Sequence, residues 1–448
     1  MYQPDTIAAI SSPAGVGAIA LLRLTGPKAV AIARIVASAL PGHLTERYAY
    51  FSPLHDGAGR IDEGLITIFH GPRSFTGEDV VEFSVHASSY VQQRSLEALL
   101  TAGARMAQPG EFTQRAFLNR KLDLSQAEAV ADLIASQSAA QHKLALDQIR
   151  GGFGKRIGEL RQQLIDFAAL IELELDFSEE DVEFAKRPEL LALIDGIVVL
   201  CTELIDSFRY GNAVRQGVPV AIIGAPNSGK STLLNALLQD DRAIVSDVPG
   251  TTRDTVEETM TIGGVLFRFI DTAGIRKTTD VVEQLGIDRS YKKAKEASIV
   301  VLLGDAAVMN EQAFVLDARL LEERIGEGPV VIPVLNKVDV APSAITSTLT
   351  ISAKTGAGLD ALKKRFTDHV NALHGTADLV VTNARHVDAL TRARESVQNA
   401  RTAIDEGLGG ELLAIDLRRA QDQLGEITGQ ITTDDLLGSI FGRFCIGK

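Results

Sequence analysis

From Val218 to Leu238 the chain reads VPVAIIGAPNSGKSTLLNALL. An apolar run leads into a turn and then into a second apolar run. Gly224, Gly229, Lys230 and Ser231 fill every fixed position of the pattern G-x-x-x-x-G-K-[ST]. Backbone N–H groups can curl around a phosphate only where no Cβ intervenes. The lysine then reaches the β and γ oxygens, and the hydroxyl ligates Mg2+ at a helix N-terminus. A glycine turn before any helix would explain the glycines. It would not explain the strand before them, the helix after them and the Lys-Ser pair together. Asn227, Ser228, Gly229, Lys230, Ser231 and Thr232 are therefore the candidate phosphate contacts, with Lys230 also a candidate catalytic charge.

Around this loop, residues 216–376 alternate strand-like runs with helical ones: VPVAIIG, LFRFIDTAG, SIVVLLGD, GPVVIPVLNKVD and TLTISAK. Such alternation indicates βαβ units around a mostly parallel sheet. The flanks differ. Residues 1–119 mix short β-like runs with one helical pattern at AVAIARIVASAL, as in a compact α+β domain. Residues 120–215 and 377–448 carry long amphipathic patterns, including SQAEAVADLIASQSAAQHKLALDQIR, whose apolar stripes need partner helices. Two separated helical blocks make one discontinuous helical domain. A chain of 448 residues exceeds what one core serves, so several domains are expected. The acidic SEEDVEF reads as a solvated loop.

The base is chosen by NKVD and ISAK. Asp339 can accept two hydrogen bonds from the guanine ring N–H and exocyclic amine, a donor pair adenine lacks. Asn336 and Lys337 support it, and Ser352, Ala353 and Lys354 offer a backbone N–H to the guanine carbonyl. In DTAG, Asp271 can hold Mg2+ through water while Gly274 senses the γ-phosphate; Thr272 and Ala273 complete the motif. Thr252 in GTTRD can close over the metal. The fold class is thus multidomain, with an α/β Ras-like P-loop GTPase domain inserted into a helical domain that follows an N-terminal α+β domain.

Composition excludes several alternatives. A net charge of -13 opposes bulk electrostatic gripping of nucleic acid, so any RNA contact is local or shared with a basic partner. No basic-then-apolar leader opens the chain, and no run approaches a membrane span, so it reads as cytoplasmic. Cys201 and Cys445 are too isolated for a disulfide framework or a zinc site, and Cys201 sits in an apolar run as a small hydrophobe.

Where Ras-like enzymes carry a water-orienting glutamine after the DTAG-type motif, this chain has Ile275. An aliphatic side chain cannot polarise water, and the charge of an arginine finger must also come from elsewhere. Asn227 with SDVPGTTRD could set an amide oxygen and carbonyls around a potassium ion beside the phosphates. Glu283 in VVEQLGI stands either as the group that positions water or as a charge at a helix start.

GAPNSGKS, VSDVPGTTRD, DTAGIR, NKVD and ISAK are framed by SFTGEDVVEFSVHAS, GEFTQRAFLNRKLDLSQAEAVADLI and a terminal FCIGK. Together they resemble the MnmE (TrmE) family of tRNA-uridine modification GTPases over essentially the whole chain. The resemblance implies a potassium-dependent GTPase that forms a homodimer through its N-terminal domain and binds GTP and GDP with Mg2+. It implies a heterotetramer with an FAD-dependent MnmG-like protein, acting on the wobble uridine of tRNA. The N-terminal domain would bind 5-formyl- or 5,10-methylene-tetrahydrofolate.

Matched motif by motif, the resemblance makes Asn227, Ser246, Val248 and Thr251 potassium ligands in a loop that also includes Asp247, Pro249 and Gly250. Ser231 and Thr252 become the magnesium ligands, and Glu283 the water-positioning residue. The folate positions would be Arg23, Glu82, Lys121 and Lys448. Cys445 in FCIGK is a candidate catalytic thiol or part of a packing tail that presents Lys448. CIGK makes a poor prenylation box, since Gly447 is not aliphatic. Two competitors share the G motifs: a ribosome-assembly switch of the Era or EngA sort, and a folate enzyme whose GTPase only regulates it. Neither a switch of that sort nor its basic RNA-binding appendage explains TGEDVVEF and FCIGK.

Overall fold

The computed structural model describes residues 5–176, 186–241, 257–270, 292–341, 348–374 and 379–448. The chain divides into two compact units, one of Met1–Ala131, Asp147–Ala185 and Ala403–Lys448, the other of Asp132–Leu146 and Lys186–Thr402.

The first unit carries a six-stranded sheet in the order β3-β4-β5-β2-β1-β6. Its strands are β1 (Ile7–Ile10), β2 (Ile19–Thr25), β3 (Ala49–Asp56), β4 (Gly59–Phe69), β5 (Val80–His86) and β6 (Arg105–Met106). Only the β1/β6 pair is parallel. Alternation decides which side chains go in. Leu22 and Leu24 of β2 and Val81, Phe83 and Val85 of β5 join Ile32, Val36, Leu96 and Leu99 of the helices Ala29–Val36 and Ser89–Thr101 in one core. Arg23 and Glu82 interleave with those residues and face each other in register on the opposite side of the sheet. Three helices lie in residues 1–119 where the periodicity predicted one. In Ser89–Thr101 and Glu111–Leu118 the buried faces include Gln92, Ser95, Glu111, Thr113 and Arg115, so apolar residues alone do not mark them.

Also in this unit, Gly152–Asp176 lies antiparallel to Gly410–Thr428. Their stripes, Ile157, Leu160, Leu164 and Ile171 on one and Leu413, Leu417 and Leu424 on the other, are buried. Gln421 donates its amide to the Leu164 carbonyl at 2.9 Å, and Arg161 donates to the Gln421 carbonyl at 3.1 Å, which fixes their register.

The second unit holds a six-stranded sheet in the order β12-β11-β10-β7-β9-β8. These are β7 (Val218–Ile223), β8 (Glu258–Ile262), β9 (Val265–Phe269), β10 (Ile299–Asp305), β11 (Val330–Asn336) and β12 (Leu349–Thr350). All pairs are parallel except β8 with β9. The strands IVVLLGD and VVIPVLN are apolar on both faces because separate cores cover each face. Pro333 is tolerated inside β11. Leu335, two residues on, accepts from the Ile351 N–H, so the missing N–H of Pro333 points to the β12 side, where β12 has not yet begun its pairing at Val334.

The long pattern predicted from Ser125 to Arg150 is broken into Leu124–Ala135 and Ala139–Ile149. Ser136 turns its hydroxyl back to the Leu133 carbonyl, and Ser138 accepts from the Gln141 N–H, so one serine ends a helix and the other caps the next. Cys201 is fully buried, and burial pushes its thiol up to about 12. SEEDVEF lies outside the described residues. Among the described residues no helix is long and apolar enough to cross a membrane.

Candidate guanine-nucleotide site

β7 ends in the loop that the opening motif demanded, and the helix Lys230–Asp241 follows it. Gly229 has φ +98°, and a Cβ there would run into the Asn336 amide; one on Gly224 would strike the Leu303 carbonyl of the neighbouring strand. Both glycines are therefore required by close approach as well as by the loop's curl. Asn227 has φ 63°, a left-handed conformation that asparagine bears better than most residues, and its side chain is exposed at the rim. Lys230 donates to the carbonyls of Gly224 and Ala225 at 2.8 and 2.9 Å, and its partial burial lowers its pKa. Ser231 is half-buried and Thr232 exposed at the start of the helix, while Ser228 is buried beneath the loop.

Asn336 closes the site. It ends β11, is 2% exposed, and donates its amide to the Ser228 carbonyl at 2.9 Å while its amide oxygen accepts from the Ala353 N–H at 2.9 Å. One side chain therefore joins the phosphate loop to the ISAK turn. Asp339 accepts from the Ser352 hydroxyl at 2.7 Å, and that hydroxyl accepts in turn from the Thr355 N–H at 3.2 Å. Asp339 and Lys354 are exposed, and Ser352 and Ala353 are buried.

Lys337, at φ 70°, donates to Asp305 at 2.6 Å, and this hydrogen bond holds the Asp305 carboxyl below its usual range. Asp305 was not among the residues picked from the sequence. It ends β10 directly opposite Asn336 in register, so a carboxylate closing the strand LLGD was the available signal. Ser246, Asp247, Val248, Pro249, Gly250, Thr251, Thr252, Asp271, Thr272, Ala273, Gly274 and Glu283 lie outside the described residues. Among the described residues no group of three or more His, Cys, Asp or Glu side chains could hold a metal.

In the first unit Arg23 donates to Glu82 through Nε at 3.0 Å and Nη2 at 2.8 Å. Its guanidinium lies 5.5 Å from the Phe75 ring centre and 5.7 Å from that of Phe112. Neither ring had been singled out. Lys121 donates to the Pro72 carbonyl at 2.9 Å, in the same turn as Phe75, and the Phe112 N–H donates to the Lys448 carbonyl at 3.1 Å. The terminal segment is docked: Ile446 bridges to Pro109, and the Cys445 carbonyl accepts from the Gly110 N–H at 3.4 Å, while the Cys445 side chain is exposed. Arg23, Glu82, Lys121 and Lys448 thus border one neighbourhood built around Phe75 and Phe112.

A mostly parallel sheet with a glycine-cradled Lys-Ser loop on one strand end and an Asn-Lys-x-Asp on another is a P-loop guanine-nucleotide-binding domain of the Ras-like class. Two family models match the chain: MnmE helical domain over residues 124–445 and GTP-binding protein TrmE N-terminus over residues 6–121. Proteins described as tRNA modification GTPase MnmE are similar throughout. That of Christiangramia forsetii is 47% identical over 476 residues, covering 99% of each chain. That of Flavobacterium johnsoniae is 46% identical over 468 residues, covering 100% of each. The chain belongs to the MnmE family of tRNA modification GTPases.

Proposed function

We propose that this chain is a potassium-dependent GTPase which, as a homodimer joined to an FAD-dependent MnmG-like protein, installs an aminomethyl-type group on C5 of the wobble uridine in certain tRNAs. A tetrahydrofolate one-carbon unit would supply the methylene carbon, and the reaction belongs in the cytoplasm. The observation that carries the GTPase reading is the Asn336 staple, because it holds the phosphate loop and the base-reading turn at one spacing. Full-length similarity to proteins named for tRNA modification supports the tRNA reading.

Each candidate residue has work in such a cycle. Asp339 reads the base, and Ser352 and Thr355 hold its carboxylate in place. Lys230 offers its ammonium to phosphate oxygens, and Ser231 and Thr252 would hold Mg2+. Asn227 would hold potassium with Ser246, Val248 and Thr251. When bound, these cations supply positive charge where phosphate charge develops. Glu283 would position the attacking water in place of the glutamine that Ile275 displaces.

Arg23, Glu82, Lys121 and Lys448 would hold the folate, with Phe75 and Phe112 as apolar walls for its ring. Cys445 would present its thiol beside the docked tail.

Wobble nucleosides from cells lacking the protein, resolved by mass spectrometry, should have lost the C5 aminomethyl-type modification; an unchanged profile sinks the tRNA reading. GTP turnover should be faster in potassium than in sodium and should fall in Glu283→Ala with nucleotide affinity little altered. Equal rates in the two salts, or a parent-like turnover number for that variant, would remove the assigned catalytic groups.

A further inference from the structure

The two termini of a parallel sheet differ: strand ends carry the nucleotide loops, while strand starts are usually closed by packing. In the second unit the starts of β7, β10 and β11 instead border a cavity of about 400 Å³. Its other wall is the last two turns of the helix Arg187–Gln216, with His369 of the helix Leu359–Leu373.

The composition of this lining is unusual. Arg209, Asn212 and Gln216 stand at i, i+3 and i+7, one face of the helix, and all three border the cavity. Arg268 and Ser298 border it from the sheet side. Every one of these groups can donate hydrogen bonds. Among the described residues the side chains of Arg209, Asn212, Gln216 and His369 have no hydrogen-bond partner. The carboxylate on the lining, Glu296, is engaged by Lys293 at 2.9 Å. Arg268 is held in place, donating to the Gly217 carbonyl at 3.4 Å and to Glu257 at 2.6 Å. Burial, and secondarily the charge of Arg209, lower the pKa of His369. Four donor side chains without a protein partner among the described residues therefore border one concave space, beside an arginine already fixed in position.

We propose that this cleft binds a small phosphate-bearing anion, gripped by Arg209, Arg268 and the amides of Asn212 and Gln216. The volume lies within the range of about 300–1,000 Å³ typical of small-ligand sites. The backbone of an RNA duplex is convex and fits such a hollow poorly. A chain of net charge -13 also offers it little diffuse attraction. The anion would sit across Gly217, where the helix passes its chain to β7 at φ +80°, and would bridge the helix end to the strand starts. It is separate from the guanine site and does not rest on the function proposed above.

The test uses the full-length protein saturated with GDP and Mg2+, so that the phosphate loop is already occupied, and inorganic pyrophosphate as the probe in calorimetry. One further pyrophosphate per chain is expected, weakened at least about tenfold in Arg209→Glu and less in Gln216→Ala, with GDP affinity unchanged in both. Both side chains are exposed, so neither change is demanding on the fold. Histidine-ring NMR should show the His369 pKa rising as pyrophosphate binds, the signal being identified by its loss in His369→Gln. No binding beyond the GDP site, binding indifferent to Arg209→Glu, or a short RNA that binds there while pyrophosphate does not, would overturn the proposal.

Discussion

Asp339→Asn is expected to lower GTP affinity by about tenfold to a hundredfold or more, since a hydrogen bond to a charged partner contributes about 1.5–3 kcal/mol. The same change should raise the affinity for xanthosine triphosphate. The direction follows from the neighbour. The Ser352 hydroxyl already accepts from the Thr355 N–H, so its proton is committed to Asp339. An asparagine would therefore turn its oxygen to Ser352 and its NH2 toward the base. Against guanine that sets donor against donor at the exocyclic amine. Against xanthine it meets a carbonyl. Competition binding of GTP and XTP to the variant checks this, and unchanged selectivity would mean that Asp339 does not read the base.

Asn336→Ala is expected to have the largest effect on stability of any single change in the nucleotide site. It leaves the Ser228 carbonyl and the Ala353 N–H without partners where water does not reach, as both residues are buried. An unsatisfied buried group costs about 1–3 kcal/mol, so the two together cost about 2–6 kcal/mol. Asn336→Asp should also fail, because it keeps the acceptor for Ala353 but sets a carboxylate against the Ser228 carbonyl. By contrast the Lys337–Asp305 pair is partly exposed, and Asp305→Asn should cost less than about 1 kcal/mol. Thermal unfolding without nucleotide reads the stability difference, and GDP titration reads the loss of site geometry. A parent-like melting temperature for Asn336→Ala would show that the two loops do not depend on this bridge.

The two candidate sites were legible to different degrees. Gly224, Gly229, Lys230 and Ser231 could be read directly because phosphate chemistry demands them at fixed spacing within one turn. The strands β7, β9, β10, β11 and β12 were likewise open, since period and punctuation are local, whereas β8 (Glu258–Ile262) was missed. Arg23 and Glu82 were different. Only a family resemblance picked them out, although the alternation of β2 and β5 would have put both on one face had the strand pairing been known. Phe75 and Phe112 gave no signal, because an aromatic residue in a turn or at a helix start has the same local pattern whether or not a guanidinium lies over it. The break at Ser136–Ser138 was missed because helical period runs through it; two serine hydroxyls override the period.

What the linear order of residues sufficed for is the chemistry that needs contiguous groups: the phosphate loop, the base-reading motifs and the helix and strand periods. Folding alone brought Asn336 to Ser228 across 108 residues, paired Arg23 with Glu82 and ranged unpartnered donors around the cleft behind β7. Such contacts depend on strand order and register, which no short window contains. A hydrogen bond between distant residues becomes a property of the molecule only when the intervening chain has chosen its path.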